Sequence, residues 1–430
     1  MREEFIYYLW ENRLLSIDLK TTDGDEIKVV SVGNRNFDSG ADFVNARIKI
    51  GVTLWAGQVE IHVRASDWFR HKHQYDDNYN NVILHVVYEC DTDKLEIPTL
   101  EIKDKFDQSL LLNYNKFVNS KNWIPCGDFI GGVQGFTVIS WLDRMLVEHL
   151  ENECADLNFR LQNNNYDWEL TFYQRLMRYF GFKVNNDSFE YLSKILPLNL
   201  LLKHIDNEVY VESMLFGCAG FLEKDFEEAY PSLLKREFKM LRSKFGLKVM
   251  PVSNWKFLRL RPPNFPTIRI AQIAKIIINN GNMFSKIRDS VNLNDIAELF
   301  DVELNSYWDN HFQFDKVSKV EKKKTLGKTA VDSVVINAVM PMLFYYGNFH
   351  SLESYKEKAM SYLEDMDAED NVVIRNFRNA GVAFDNAFKT QAALFMYKHY
   401  CKRRKCLECR VYLALSVCKE DYLMKKYLND

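Results

Sequence analysis

The chain opens with a helical period and then changes to a strand period. From residue 3 to residue 15 the apolar residues Phe5, Tyr8, Leu9 and Leu14 fall near helical spacing. Next, Ile27-Lys28-Val29-Val30-Ser31-Val32 is β-branched, and residues 42–50 alternate through Phe43, Asn45, Arg47, Ile48 and Ile50. Val59, Ile61 and Val63 form one face of a third strand; Glu60, His62 and Arg64 form the other, because side chains alternate with a period of two. Gly51 and Gly57 bracket the connection between these strands. Ser66-Asp67-Trp68 reads as a short helix with Ser66 at its N-cap. Val82 to Tyr88 is almost continuously apolar, as suits a strand covered on both faces. The predicted order is helix, three strands, short helix, strand.

Composition shifts between Ile97 and Asp128, after which almost every segment has helical periodicity. Residues 138–159, 168–180, 268–278 and 386–400 are examples, with Asn-rich stretches between segments as turns. The most apolar run, residues 338–346, is broken by Pro341 and reads as a buried helix. The pattern predicts an α+β protein: an α/β sheet domain over 1–120 and a larger all-helical domain over 121–430. An apolar fraction of 47% with 14% aromatic residues excludes disorder. No apolar run approaches the ~18–20 residues that cross a bilayer, and no signal-peptide pattern follows Met1-Arg2-Glu3-Glu4. Eight cysteines are spread too thinly for a disulfide scaffold, so a reducing cytoplasm and no membrane partner are expected.

The residues that carry chemistry lie on the predicted sheet. Asp42 and Glu60 each stand at or near the start of a strand, and Glu60 and His62, two apart, meet the same environment. Mg²⁺ and Mn²⁺ prefer carboxylate and water oxygens and are often held by one or two protein carboxylates. Asp42 and Glu60 are the candidate ligands, with Glu4 or Glu11 of the first helix as a further carboxylate. A bound ion lowers the pKa of its water, and His62, with an ordinary pKa of about 6.5, is placed to deprotonate or orient that water. With the element order, this arrangement resembles the PD-(D/E)XK nucleases, His62 standing where that class has Lys. The resemblance implies metal-dependent phosphodiester hydrolysis, with His62 as this chain's departure from the class.

Four of the nine histidines fall from His62 to His85. Arg64, His71 and His73 suit phosphate contact or orientation of ligands, although on a regular helix His71 and His73, two apart, would not share a face. Net charge is −3, yet eleven basic residues lie from Lys235 to Lys275 against one acid, Glu237, with Trp255, Phe257 and Phe265 among them. Basic side chains interleaved with aromatics suit a phosphate backbone and unstacked bases. The candidate contacts to DNA or RNA are Arg259, Arg261, Arg269 and Gln272, the last two sharing a helix face.

Cys401, Cys406 and Cys409 have a spacing that suits Zn²⁺ or an iron–sulfur cluster. A fourth ligand is missing locally, with His399, Cys418 and the distant Cys126 as candidates. A helix across 395–418 would make these thiols small buried side chains instead, and that is the favoured expectation.

Residues 57–68 (Gly-Gln-Val-Glu-Ile-His-Val-Arg-Ala-Ser-Asp-Trp), Trp123-Ile124-Pro125-Cys126, Phe216-Gly217-Cys218-Ala219-Gly220 and Arg261-Pro262-Pro263-Asn264-Phe265-Pro266 resemble an uncharacterised bacterial family of unknown function over nearly the whole chain. That family usually has Gly-Pro-Asp-Phe where Gly40-Ala41-Asp42-Phe43 stands here, so Ala41 lacks the stiffness of proline while the ligand remains. Two functions follow as expectations. One is a Mg- or Mn-dependent nuclease with a helical nucleic-acid-binding domain; the other is an inactive nucleic-acid-binding or assembly protein on the same fold.

Overall fold

Helix α1 (Glu3–Glu11) buries Phe5, Ile6, Tyr8, Leu9 and Trp10, the stripe expected from its spacing. Strands β1 (Leu19–Lys20), β2 (Glu26–Ser31), β3 (Asn34–Arg35), β4 (Phe43–Ile50) and β5 (Thr53–Arg64) follow. Helix α2 (Asp67–Arg70) and two 3₁₀ turns lead to β6 (Val82–Glu89) and β7 (Thr99–Glu101). The sheet runs β1-β2-β4-β5-β6-β7, with β3 paired to β4. From β1 to β5 the pairs are antiparallel, while β6 and β7 join in parallel. Val82 to Val87 are all buried, which explains why all of them but His85 are apolar. Gly57 admits this packing, since a Cβ there would meet Ile83 Cγ2 at 2.5 Å and the Asn81 carbonyl at 2.7 Å.

The computed structural model describes residues 1–36 and 39–417 and is mixed α+β: the sheet comes first and helices follow. It divides into two units, with the boundary inside the helix Gly135–Asn163. The first unit holds 1–143, 370–383 and the described residues from 393 on; the second holds 144–369 and 384–392. This differs from a single boundary near residue 120, because the C-terminal segment packs back on the sheet unit. Tyr8 and Tyr412 rings lie 5.6 Å apart, Phe117 and Tyr412 rings 5.3 Å apart, and Tyr8 Oη meets Ser416 Oγ. The Arg404 guanidinium donates to the carbonyls of Phe117, Val118 and Ser120.

The second unit is helical apart from a small hairpin, His311–Gln313 with Lys316–Val317. Its interior includes residues 334–345, where a π-helical turn (Val335–Val339) immediately precedes Pro341. Proline has no N–H for the carbonyl four residues back, that of Asn337. Buried Arg175 takes this carbonyl, donating from Nε at 3.1 Å and Nη2 at 2.6 Å. The stretch Lys328–His350 is long and apolar enough to cross a membrane by length and composition, contrary to the sequence expectation. Of its apolar 18-residue window 67% is buried within the protein, as in a core helix.

Candidate metal centre

Two local irregularities assemble a cluster beside the sheet. On β4 the register slips between the pairs Phe43–Val59 and Ala46–Gly57, with Asn45 at φ 59°. This bulge leaves one extra residue on β4 and sets Asp42 against β5. The Asp42 amide donates to Glu60 Oε2 at 3.1 Å, and the Ile61 amide donates to Asp42 Oδ2 at 2.9 Å. From α1, the Tyr7 hydroxyl donates to Asp42 Oδ1 at 2.9 Å. Helix α1 thus reaches the site through Tyr7 and half-buried Glu3, whereas Glu4 and Glu11 are exposed.

The second irregularity is Lys72, at φ 63°. Helix α2 ends at Arg70, and this left-handed residue turns the chain so that His71 and His73 both come back to His62. No continuous helix exists there, so the argument that residues two apart diverge does not apply. Ser66 holds the N-cap position, but its hydroxyl donates to Asp91 at 2.7 Å. Trp68 and Tyr79 wall the cluster: the His73 ring lies 3.8 Å from the Tyr79 ring and 5.3 Å from that of Trp68.

The ligand atoms of His62, His71 and His73 lie within 4.8 Å of one another. His62 Nε2 is 3.1 Å from His71 Nδ1 and 3.5 Å from Glu60 Oε1; His73 Nε2 is 3.4 Å from the same Oε1. His62 Nδ1 faces His85 Nε2 at 2.8 Å. In the parallel register Glu60 pairs with His85, which puts His85 behind His62. Glu60 is 5% exposed, His62 2% and His85 not at all. His73 Nε2 is buried and without a hydrogen-bond partner among the described residues.

Burial dominates the electrostatics. It pushes the Asp42 and Glu60 carboxyls up, with the Asp42 charge adding to the effect on Glu60. It pulls His62 down to about 2, His85 to about 3, and lowers His73, the neighbouring imidazoles acting in the same direction. Tyr79 rises to about 12, through burial first and then the charges of Glu60 and Asp42. Burial therefore favours the neutral, metal-ligating form of His62, His73 and His85, beside the carboxyl edge of Glu60. His62, His71, His73 and Glu60 fit a metal ion, with His85 positioned to fix the His62 tautomer through Nδ1.

The structure brings Asp42, Glu60, His62, His71 and His73 together. Arg64, at the exposed end of β5, acts electrostatically on Glu89 and Asp91. Arg269 and Gln272 lie inside the second unit, 6% and 2% exposed. Arg269 donates to Gln272 Oε1 at 2.8 Å and Asn264 Oδ1 at 2.6 Å and stacks over Phe182; burial brings its guanidinium down to about 10. Gln272 donates to the Lys324 carbonyl. These two side chains stabilise the interior and are closed to a phosphate backbone. Trp255 is also buried, its Nε1 donating to the Ala219 carbonyl at 2.8 Å, so it offers no stacking platform. Arg259 and Arg261 are exposed. Part of the basic segment is neutralised by acids from outside it: Lys235 pairs with Asp225, Arg242 with Glu223 and Lys275 with Glu208. In the first unit, an open cleft of about 880 Å³ is lined in part by Arg13, Lys20, Lys28 and Lys49 and by none of the histidines.

Sequence reasoning passed over His85 and Tyr7 as ligand-orienting groups. His85 sits in an apolar run that reads as core, and the only signal was its place in the histidine-rich stretch. No curated protein and no solved structure shows significant similarity to the chain. The family described as protein of unknown function (DUF2851) matches residues 3–372, and the chain belongs to that family.

Proposed function

We propose that this protein is a metal-dependent phosphodiesterase acting on DNA or RNA, its ion held by His62, His71, His73 and Glu60. The convergence of three imidazole nitrogens within 4.8 Å carries the proposal, together with a carboxylate oxygen 3.4–3.5 Å from two of those residues. Three nitrogens and one oxygen favour a borderline ion such as Zn²⁺ over the harder Mg²⁺ and Mn²⁺, which prefer oxygen ligands. Such an ion lowers the pKa of a bound water and neutralises phosphate charge. Asp42, tied to Tyr7 and to the Ile61 amide, orients Glu60 through its own amide.

Phosphodiester chemistry is favoured by topology. A helix, an antiparallel meander (β2-β4-β5), a crossover with a short helix and a parallel strand (β6) follow the element order of PD-(D/E)XK nucleases. This reading takes Asp42, before β4, and Glu60 with His62, on β5, as the counterparts of that class's acidic pair and third residue. A second reading, a binding protein without catalysis, is favoured by the engagement of both Asp42 oxygens and both His62 ring nitrogens. Calorimetric titration with Zn²⁺ and Mn²⁺, followed by cleavage assays on single-stranded and duplex DNA and RNA, separates the two. Tight binding of an ion with cleavage supports the enzyme; nucleic-acid binding with no cleavage under any ion supports the second reading.

A further inference from the structure

A second ligand set lies in the first unit, outside the histidine cluster. Cys126 sits on a turn, its carbonyl accepting from the amides of Phe129 and Ile130. Cys401 ends a π-helical turn (Tyr397–Cys401), Cys406 opens a 3₁₀ turn (Cys406–Glu408), and Cys409 directly precedes the helix Arg410–Val417. The sequence favoured one helix through these residues. Instead the chain turns at Arg404, at φ 56°, whose guanidinium is fixed on the carbonyls of Phe117, Val118 and Ser120. That turn takes Cys401, Cys406 and Cys409 off a common helix.

The same packing supplies the fourth thiol that local spacing lacked. The Trp123 ring, three residues before Cys126, lies 5.5 Å from the Tyr397 ring and 4.7 Å from the Phe377 ring. The loop bearing Cys126 is thereby packed on the turn bearing Cys401. The thiols also act on one another electrostatically: burial first, and then the charges of Cys126, Cys409 and Cys406, raise Cys401. Cys126 responds in the same way to Cys409 and Cys406, and Cys406, pushed up to about 12 by burial, to Cys409. Burial raises the Cys409 thiol, and the amides of Tyr412 and Val411 oppose that rise. Such donors stabilise a thiolate more than a thiol. All four cysteines are free of disulfides. His399 is not needed to complete the set, and Cys418 lies outside the described residues.

We propose that Cys126, Cys401, Cys406 and Cys409 form a tetrathiolate site for a thiophilic metal centre, either an iron–sulfur cluster or a zinc ion. Four cysteines are the ligand complement of both. The centre fastens the C-terminal segment to the first unit beside α1, which contacts the Cys406–Glu408 turn. A core of inert thiols would account for the burial. It would not account for the amides that oppose the rise of Cys409, or for the packing of the Cys126 loop on the turn that carries Cys401.

The test uses the full chain purified without oxygen, with zinc, iron and acid-labile sulfide measured per chain. His71→Ala/His73→Ala is the background that empties the histidine centre. In that background the protein should still hold a near-stoichiometric metal, which Cys126→Ser and Cys406→Ser each lose and Cys154→Ser, a buried thiol of the second unit, retains. Iron with sulfide identifies a cluster; zinc without sulfide identifies a single ion. Because a ligand variant can fail to fold, the intact wild type is also titrated with a mercurial reagent, which should release the metal as the thiols react. Absence of thiol-bound metal in the wild type, or a folded Cys126→Ser variant that keeps its full load, overturns the proposal.

Discussion

His73 Nε2 stands 3.4 Å from Glu60 Oε1, although one residue belongs to a turn and the other to a buried strand. The left-handed Lys72 makes this approach, and it is the residue on which the donor set depends.

Lys72 gives a direct test of that dependence. A β-branched side chain is poorly tolerated at positive φ, whereas glycine adopts it at no steric cost. Lys72→Ile should weaken Zn²⁺ or Mn²⁺ affinity by displacing His71 and His73, and Lys72→Gly should leave it near the wild-type value. Equal affinities in calorimetric titrations of the two variants contradict the role assigned to this turn.

The arginines of the second unit separate by burial. Arg269→Met removes the donor to Gln272 and Asn264 and should cost about 1–3 kcal/mol of stability, read as a lowered denaturation midpoint. Arg259→Gln with Arg261→Gln should leave that midpoint unchanged. If these exposed residues touch phosphates, the double change flattens the salt dependence of nucleic-acid affinity by about two log-slope units.

Arg175 and Pro341 are coupled through the Asn337 carbonyl. Arg175→Met leaves that carbonyl unpaired in the interior, at a cost of about 1–3 kcal/mol. Pro341→Ala restores an N–H for it, so Arg175→Met should cost less in that background. A double-mutant cycle with no interaction energy rules out the coupling.

Glu212, 3% exposed, is raised by burial from 4.5 to about 7, with Tyr230 donating to its Oε2 at 2.8 Å. A folded value above the unfolded one means that the native state prefers the protonated form. The stability it contributes is complete below the unfolded value of 4.5 and is lost as pH rises through about 7. From about pH 5 to about pH 8 the wild type should lose stability relative to Glu212→Gln, by about 3 kcal/mol at most. Parallel stability curves contradict this.

Much of the sheet was legible because its strands keep a period of two: Asp42, Glu60 and His62 were found from alternation and element order alone. The rest depended on features that periodicity does not carry. Lys72 has no special side chain for its left-handed backbone, so the return of His71 and His73 to His62 was invisible. His85 looked like one more position in a covered strand. Arg269 and Gln272 were seen as a shared helix face, and whether that face meets solvent or core is decided, beside Asn264, by Phe182 and Lys324, which are distant in sequence. The C-terminal helix was drawn too long because nothing in Arg404 announces a positive φ.

The central claim is tested most directly at Glu60. Metal-loaded wild type and Glu60→Gln are compared for cleavage of single-stranded and duplex DNA and RNA with Zn²⁺, Mn²⁺ and Mg²⁺, alongside their melting temperatures. The account predicts metal-dependent cleavage by the wild type and none by Glu60→Gln, with similar melting temperatures in the metal-free proteins. Cleavage by Glu60→Gln at the wild-type rate, or a wild type inert with every ion and substrate, would contradict it.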